Sequence, residues 1–223
     1  GLVNMPLSEE SLPVHTLVEL IPDNAFFVAG KIEKDVREGL EKKGVRYLDL
    51  LDREEMAVLN AIPAAEGAVE LIIRAIPRTI HNSKILILGY GRIGKVLARI
   101  LSGFGADVWV EARNYADLSW IEANGYKPVH LNDLERYVTE MNVIINTVPH
   151  LLITADILNK IHKDCYLLDL ASKPGGIDFE HAKELGFKTD WALSLPGKVA
   201  PMTAAEIIKK TIDNVMLEGG EKK

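Results

Sequence analysis

The chain has 223 residues, room for one large domain or two small ones with proper cores. Its formal net charge of −6, with no basic block, counts against a nucleic-acid partner, and no uninterrupted apolar run reaches the roughly 20 residues of a membrane span. A single cysteine, Cys165, rules out an internal disulfide and suits a reducing cytoplasm, and its place at the head of the apolar stretch CYLLDL makes it a core residue.

Residues 1–78 read as a partial α/β domain. Residues 25–30 form an apolar run with the pattern of a buried strand, 33–43 a polar helix stopped by Gly44, and 45–50 a second strand. Two parallel strands make a thin core. The chain also starts at Gly1 in mid-pattern, which reads as a fragment or a processed product. Further strands are therefore expected upstream, or against the second domain or another copy in a homo-oligomer. Residues 53–59 predict a short helix broken at Asn60-Ala61-Ile62-Pro63. Pro63 suits the first position of a following helix with Val69, Ile72, Ile73 and Ile76 on its apolar face. That helix is the expected connector to the second domain, 79–223, and it brings Asn60 and Glu66 near the cleft. On sequence alone the favoured reading of Glu66 is a solvated first-turn charge complementing the helix dipole.

The strongest local signal follows. Ile85 to Leu88 run straight into Gly89-Tyr90-Gly91-Arg92-Ile93-Gly94 and then into a helical pattern. In a strand, turn and helix of this kind the first glycine makes the tight turn. The second lets the backbone approach a pyrophosphate, and the third lets the helix pack on the strand. The free N–H groups and positive dipole end of the helix then face the diphosphate. A second strand spans 107–113. NAD-binding versions carry a carboxylate for the ribose 2′-hydroxyl near its end, about 20 residues or slightly more beyond the first glycine. Here Arg113-Asn114 stand there, and an arginine pairs with a 2′-phosphate. The expected cofactor is NADP, with Glu111 two residues earlier able to keep NAD acceptable.

Beyond Arg113, helices are expected at 116–124, 132–140, 154–161 and 178–185, and strands at 128–130, 142–146, 165–169 and 187–189. The alternation predicts a doubly wound parallel Rossmann sheet, added to a smaller, N-terminally incomplete α/β domain. Such sheets hold ligands at the carboxyl ends of their strands. Three exits matter. Asn146-Thr147-Val148-Pro149 is small and polar, fit for a nicotinamide or its ribose. Asp169-Leu170-Ala171-Ser172-Lys173-Pro174-Gly175-Gly176 offers a hydroxyl, an ammonium and two glycines for wrapping an anion. Leu195-Pro196-Gly197-Lys198-Val199-Ala200-Pro201-Met202-Thr203 reads as a loop before a helix starting near Ala204. Lys173 and Lys198 are expected to face one crevice, which favours a substrate bearing carboxylates. The histidines show no metal-ligand spacing.

These motifs, with Ile62-Pro63-Ala64-Ala65-Glu66-Gly67-Ala68, together resemble the dipicolinate synthase A-subunit family of endospore-forming bacteria over essentially the whole chain. Two departures are visible. Further α/β segments precede the point matching Gly1 in that family, and Ala64 stands where a threonine is expected. The resemblance implies a protein that works with a flavoprotein-like B subunit in the mother-cell cytoplasm during sporulation. It oxidises a dihydrodipicolinate-type cyclic dicarboxylate to dipicolinate, with hydride transfer to NADP or NAD. Lys173 and Lys198 would hold the two carboxylates, Ser172 and Thr203 would add hydrogen bonds, and Asn60 and Gly197 complete the expected substrate site. The segment 146–149, with Asp169, Leu170 and Ala171, would position the nicotinamide, and Glu66 is the candidate base. Two rivals stand beside this reading. The PGxxxPMT pattern also resembles methylenetetrahydrofolate dehydrogenases, whose N-terminal catalytic pattern is not found here. A non-catalytic NAD(P) sensor usually stops soon after the nucleotide fold.

Overall fold

The computed structural model describes residues 12–220. They form two compact units. One contains the described residues up to Ala57 and those from Ile207 onward, and the other is Val58–Glu206.

The first unit contains α1 (Val14–Leu20), β1 (Phe26–Ala29), α2 (Lys34–Lys42) and β2 (Arg46–Asp49), followed by a 3-10 turn at Leu50–Asp52. β1 and β2 pair in parallel, with Val28 opposite Leu48. Val18, Ile21, Ile32, Val36, Leu40 and Val45 make the small core expected of so few elements. Arg53 binds Glu218 through both terminal nitrogens, at 3.0 and 2.8 Å, and Glu55 through Nε at 2.7 Å.

The long helix α3 (Glu54–Ala75) corrects the sequence reading at Pro63, which lies inside one continuous helix rather than at the start of a second. The pyrrolidine nitrogen cannot donate to the carbonyl four residues back, a defect costing about 3 kcal/mol in an ordinary helix interior. Burial of Ala61, Ala64, Ala65, Ala68, Val69 and Ile72 offsets it by fixing the flanking turns on one face. With a mean hydropathy of 1.5, α3 is long and apolar enough to cross a membrane by length and composition. The sequence reading missed this because Asn60 and Glu66 interrupt the apolar run. Half of that stretch is buried inside the protein, as in a core helix.

The second unit is built on six parallel strands: β3 (Lys84–Leu88), β4 (Asp107–Ala112), β5 (Lys127–His130), β6 (Val143–Asn146), β7 (Tyr166–Asp169) and β8 (Thr189–Trp191). Their order is β5-β4-β3-β6-β7-β8, so the winding reverses between β3 and β6. The helices between these strands are α4 (Arg92–Gly103), α5 (Tyr115–Ala123), α6 (Leu134–Tyr137), α7 (Ala155–Leu158) and α8 (Phe179–Glu184); α9 (Leu195–Val199) and α10 (Pro201–Gly220) follow β8, the last ending in the first unit. Both faces of the sheet are covered. Ile85 and Ile87 join one core cluster with α3 and α4, while Leu86 and Leu88 join another with Leu134, Leu158 and Ala182. That is why β3 is apolar throughout rather than alternating.

Several boundaries differ from the sequence reading. The division falls at Ala57/Val58 rather than 78/79, because α3 buries Ala65, Ala68, Val69 and Ile72 in the core of the second unit, and the C-terminal helix ends in the first. The expected helix 132–140 is α6 flanked by 3-10 turns at Leu131–Asp133 and Val138–Glu140, and the expected helix 154–161 is the single turn α7. The last strand lies slightly later than expected. The stretch 195–203, read as a loop, forms α9 and the start of α10. Pro196 and Pro201 sit in first turns, where a missing N–H costs nothing.

Candidate functional site

The site is built at the carboxyl end of the sheet, where the chain leaves β3. Gly89 has φ +91°, and a Cβ there would fall 2.6 Å from Val148 Cγ2 and 2.8 Å from Thr147 Oγ1. A Cβ on Gly94 would stand 2.1 Å from the Gly89 carbonyl oxygen, so α4 packs onto the turn only because that position is bare. Gly91 differs: a Cβ there would meet nothing within 4 Å. It is the N-cap of α4 and makes no side-chain cap hydrogen bond. The first-turn amides and positive dipole end of α4 therefore open onto free space, as an anionic diphosphate requires.

That space belongs to a cavity of 370 Å³ bounded by Gly89, Tyr90, Gly91, Glu111, Ala112, Arg113, Asn114, Asp117, Leu131, Val148, His150 and Leu152. Arg113 is exposed, just beyond the end of β4. Glu111 is 2% exposed. Its Oε2 accepts a hydrogen bond from the Gly89 amide at 3.2 Å, and its Oε1 is buried without a partner among the described residues. Burial pushes the Glu111 carboxyl up, against the Gly89 amide, Arg113 and His130, which favour its charged form. Asn114 caps α5, accepting from the Asp117 amide at 2.7 Å while its Nδ2 donates to Asp117 Oδ2 at 2.6 Å. Tyr115 and His130, each next in sequence to a residue of the cavity wall, stack at 5.5 Å with their planes 19° apart. Tyr90 carries Lys95 Nζ over its ring at 5.3 Å, and burial raises its pKa.

The expected nicotinamide segment is arranged differently from the sequence reading. Asn146 and Asp169 are fully buried at the ends of β6 and β7. Asn146 Nδ2 donates to Asp169 Oδ1 at 2.8 Å and to the Val148 carbonyl at 2.9 Å, while its Oδ1 accepts from the Val148 amide. Asp169 also accepts the amides of Ala171 at 2.8 Å and Gly176 at 2.7 Å. Gly175 and Gly176 give this latch its room. A Cβ on Gly176 would lie 2.4 Å from Asn146 Nδ2, and one on Gly175, at φ +81°, would lie 3.0 Å from Asp169 Oδ2. The two glycines thus pack on buried polar groups, a role that Gly-Gly in a loop does not announce in sequence. Thr147 is half-buried, with its hydroxyl donating to the Leu88 carbonyl at 2.8 Å, and Pro149 is exposed. Leu170 and Ala171 are buried, and the Ala171 carbonyl accepts from Trp191 Nε1.

Of the other expected site residues, Glu66, Arg92, Ser172, Lys173, Gly197, Lys198 and Thr203 are exposed, Ile93 is half-buried, and Gly94 is buried under the turn. Gly67 admits α9: a Cβ on it would stand 3.1 Å from Val199 and 3.3 Å from Leu195, so Glu66 and Lys198 flank one helix crossing. Asn60 is half-buried, and its Oδ1 has no partner among the described residues. The cavity residues Asp117, Leu131, His150 and Leu152 were not anticipated. Their signal is position within about six residues of a strand end, which many surface residues share.

Residues 70–172 match the family described as D-isomer specific 2-hydroxyacid dehydrogenase, NAD binding domain. The strand order, the bare glycine turn and the open end of α4 are those of a Rossmann-type nucleotide-binding unit, and the match is to a NAD binding domain, which supports a nicotinamide dinucleotide as the cofactor. The crystal structure of the dipicolinate synthase A subunit from Bacillus halodurans superposes with a TM-score of 0.88 at 33% identity, covering 96% of this chain and 74% of that one. The crystal structure of the corresponding dipicolinate synthase polypeptide from Bacillus subtilis gives 0.90 at 32% identity, covering 100% and 75%. The curated dipicolinate synthase A subunit of Bacillus subtilis (strain 168) is 37% identical over 173 residues, 78% of this chain, and the match spans 58% of the relative's length. The chain belongs to the dipicolinate synthase A-subunit family.

Proposed function

We propose that this chain carries the nicotinamide-dependent half of a dipicolinate synthase, oxidising a dihydrodipicolinate-type cyclic dicarboxylate to pyridine-2,6-dicarboxylate. The observation that carries the reading is the cavity between the glycine turn and the end of β4, on a chain of this family. The bound dinucleotide would supply a hydride acceptor. The substrate gives up one hydride and one proton, and aromatisation of the ring drives the loss. NADP is the proposed cofactor, with the Arg113 guanidinium pairing the 2′-phosphate at the cavity.

Lys173 and Lys198 are proposed to hold the two carboxylates. Both are exposed, and neither forms an ion pair among the described residues, so their charges are available to an anion. Ser172 and Thr203 would add hydrogen bonds, with Asn60 and Gly197 in the same scheme. Glu66, exposed on α3, is the candidate proton acceptor. A B subunit is the proposed partner, and the cytoplasm of a sporulating mother cell the proposed setting.

The test is ultraviolet detection of dipicolinate when the protein meets NADP and freshly generated dihydrodipicolinate precursor, with and without the B subunit. Product from this chain alone makes it the dehydrogenase. Product only from the mixture leaves the hydride site here but gated by the partner. No product from either, with cofactor binding intact, would turn the reading toward a dinucleotide sensor.

A further inference from the structure

We propose that Trp191 is a positioning residue for the substrate: it holds both feet of the turn that presents Ser172 and Lys173, and so sets where the Lys173 ammonium meets a carboxylate. The inference rests on the reading of Lys173 above and adds a residue which that reading does not contain.

Trp191 ends β8 and stands opposite Asp169, the last residue of β7, in the sheet register. Ala171 is buried, Ser172, Lys173 and Pro174 are exposed, and Gly175 is buried again, so the chain leaving β7 makes an exposed turn on two buried feet. Within the turn the Gly175 amide donates to the Ser172 carbonyl at 2.9 Å. The indole reaches both feet. Its Nε1 donates to the Ala171 carbonyl at 2.9 Å, and its ring takes the room that a side chain on Gly175 would need, a Cβ there falling 3.1 Å from Cζ2 and 3.3 Å from Cε2. Phe179 backs the ring, stacked at 5.5 Å with the planes 13° apart. The Ala171 amide donates to Asp169 Oδ1, so Ala171 is tied through its N–H to β7 and through its carbonyl to β8. A lysine is a point charge on a flexible stem, and the place of its ammonium is only as fixed as the backbone that carries it. Lys173 forms no ion pair among the described residues that would fix it instead. Slack in a supporting residue therefore costs the binding group its geometry. Trp191 is itself 37% exposed, so burial of its ring is incomplete, and the bond from Nε1 to Ala171 is what ties the indole to the turn.

The test measures dipicolinate affinity by calorimetry, on protein saturated with NADPH, for the parent, Trp191→Phe, Lys173→Ala and the double variant. Phenylalanine keeps a ring beside Phe179 and Gly175 and removes the N–H that the Ala171 carbonyl receives. Trp191→Phe is expected to weaken dipicolinate about fivefold, the scale of one hydrogen bond, with NADPH affinity unchanged. In the Lys173→Ala background the same change should have no further effect, because Trp191 acts through Lys173. Equal weakening in both backgrounds, the mark of a merely structural role, overturns the proposal. So does a dipicolinate affinity of Trp191→Phe within about twofold of the parent's. Should Trp191→Phe not fold, Phe179→Leu, which leaves the N–H and removes the backing of the ring, is read by the same criteria. The two readings fail separately. Weak binding by Lys173→Ala with normal binding by Trp191→Phe overturns the role of Trp191 alone. Normal binding by Lys173→Ala overturns the carboxylate reading of Lys173 and this proposal with it, as does a parent that binds no dipicolinate.

Discussion

Asn146 and Asp169 hold each other at 2.8 Å, fully buried, at the ends of the adjacent strands β6 and β7. The pair fixes two strand exits at once, because Asn146 also holds both backbone groups of Val148, and Asp169 holds the amides of Ala171 and Gly176. Asp169→Asn turns one acceptor oxygen into a donor facing another donor. The expected loss is about 2 kcal/mol of stability, the scale of leaving buried hydrogen bonds to a charged group unmade. Urea denaturation measures it. A loss under about 0.5 kcal/mol would show that the latch holds nothing.

The glycines of the nucleotide turn separate folding from binding. Gly91→Ala adds a methyl where nothing lies within 4 Å, at an N-cap with φ −82°, a backbone that alanine adopts. Stability should change by about 1 kcal/mol or less, while dinucleotide affinity falls at least tenfold, because the methyl enters the space of the diphosphate. Gly94→Ala should do the reverse first. Its methyl would collide with the Gly89 carbonyl oxygen at 2.1 Å, so the thermal midpoint drops whether or not ligand is present. Melting curves of both variants, with and without NADPH, distinguish the two. Equal destabilisation by both would deny that Gly91 is reserved for a ligand.

The nucleotide half of the fold is legible because its signals are local and agree. Ile85 to Leu88, the three glycines and the helical pattern after them each point to a strand, a turn and a helix, and they lie in that order. What sequence could not give depends on contacts between distant segments. Asn146 looked like a polar residue offered to a ligand, and only the pairing of β6 with β7 shows that Asp169 consumes it. Gly175 and Gly176 looked like an anion-wrapping loop, and only the nearness of Asn146 and Asp169 explains them. Pro63 carried a correct local rule that packing overrode. Pro196 and Pro201 carried the same first-turn rule, and there it would have found α9 and α10.

Pro63 gives a prediction in the opposite direction from most core changes. Pro63→Ala restores an N–H for the Leu59 carbonyl and relieves the ring's clash with that turn, while removing a buried ring. The defect is worth about 3 kcal/mol and the lost ring burial returns part of it, so the variant should be more stable by about 1 kcal/mol. A shift of the denaturant midpoint to higher concentration is the expected result. A shift to lower concentration would mean that the ring's packing against its neighbours outweighs the missing bond.

The first unit should carry an acid-sensitive contact at Asp49. Its carboxylate accepts the amides of Ile32 at 2.6 Å, Lys31 at 2.9 Å and Leu51 at 2.9 Å, and the Arg37 guanidinium at 2.7 Å. Burial pushes the carboxyl up, but these bonds outweigh it and hold its pKa below the ordinary carboxylate value. A depressed folded pKa stabilises fully above the unfolded value of about 4, and the contribution is lost as pH falls through the folded pKa. Asp49→Asn should therefore cost about 2 kcal/mol at pH 7 and progressively less below pH about 4. Hydrogen exchange at the β1 and β2 amides reads the first unit by itself. Protection of the parent should fall toward that of the variant as the pH drops, and a constant gap between them at every pH would remove Asp49 as the source.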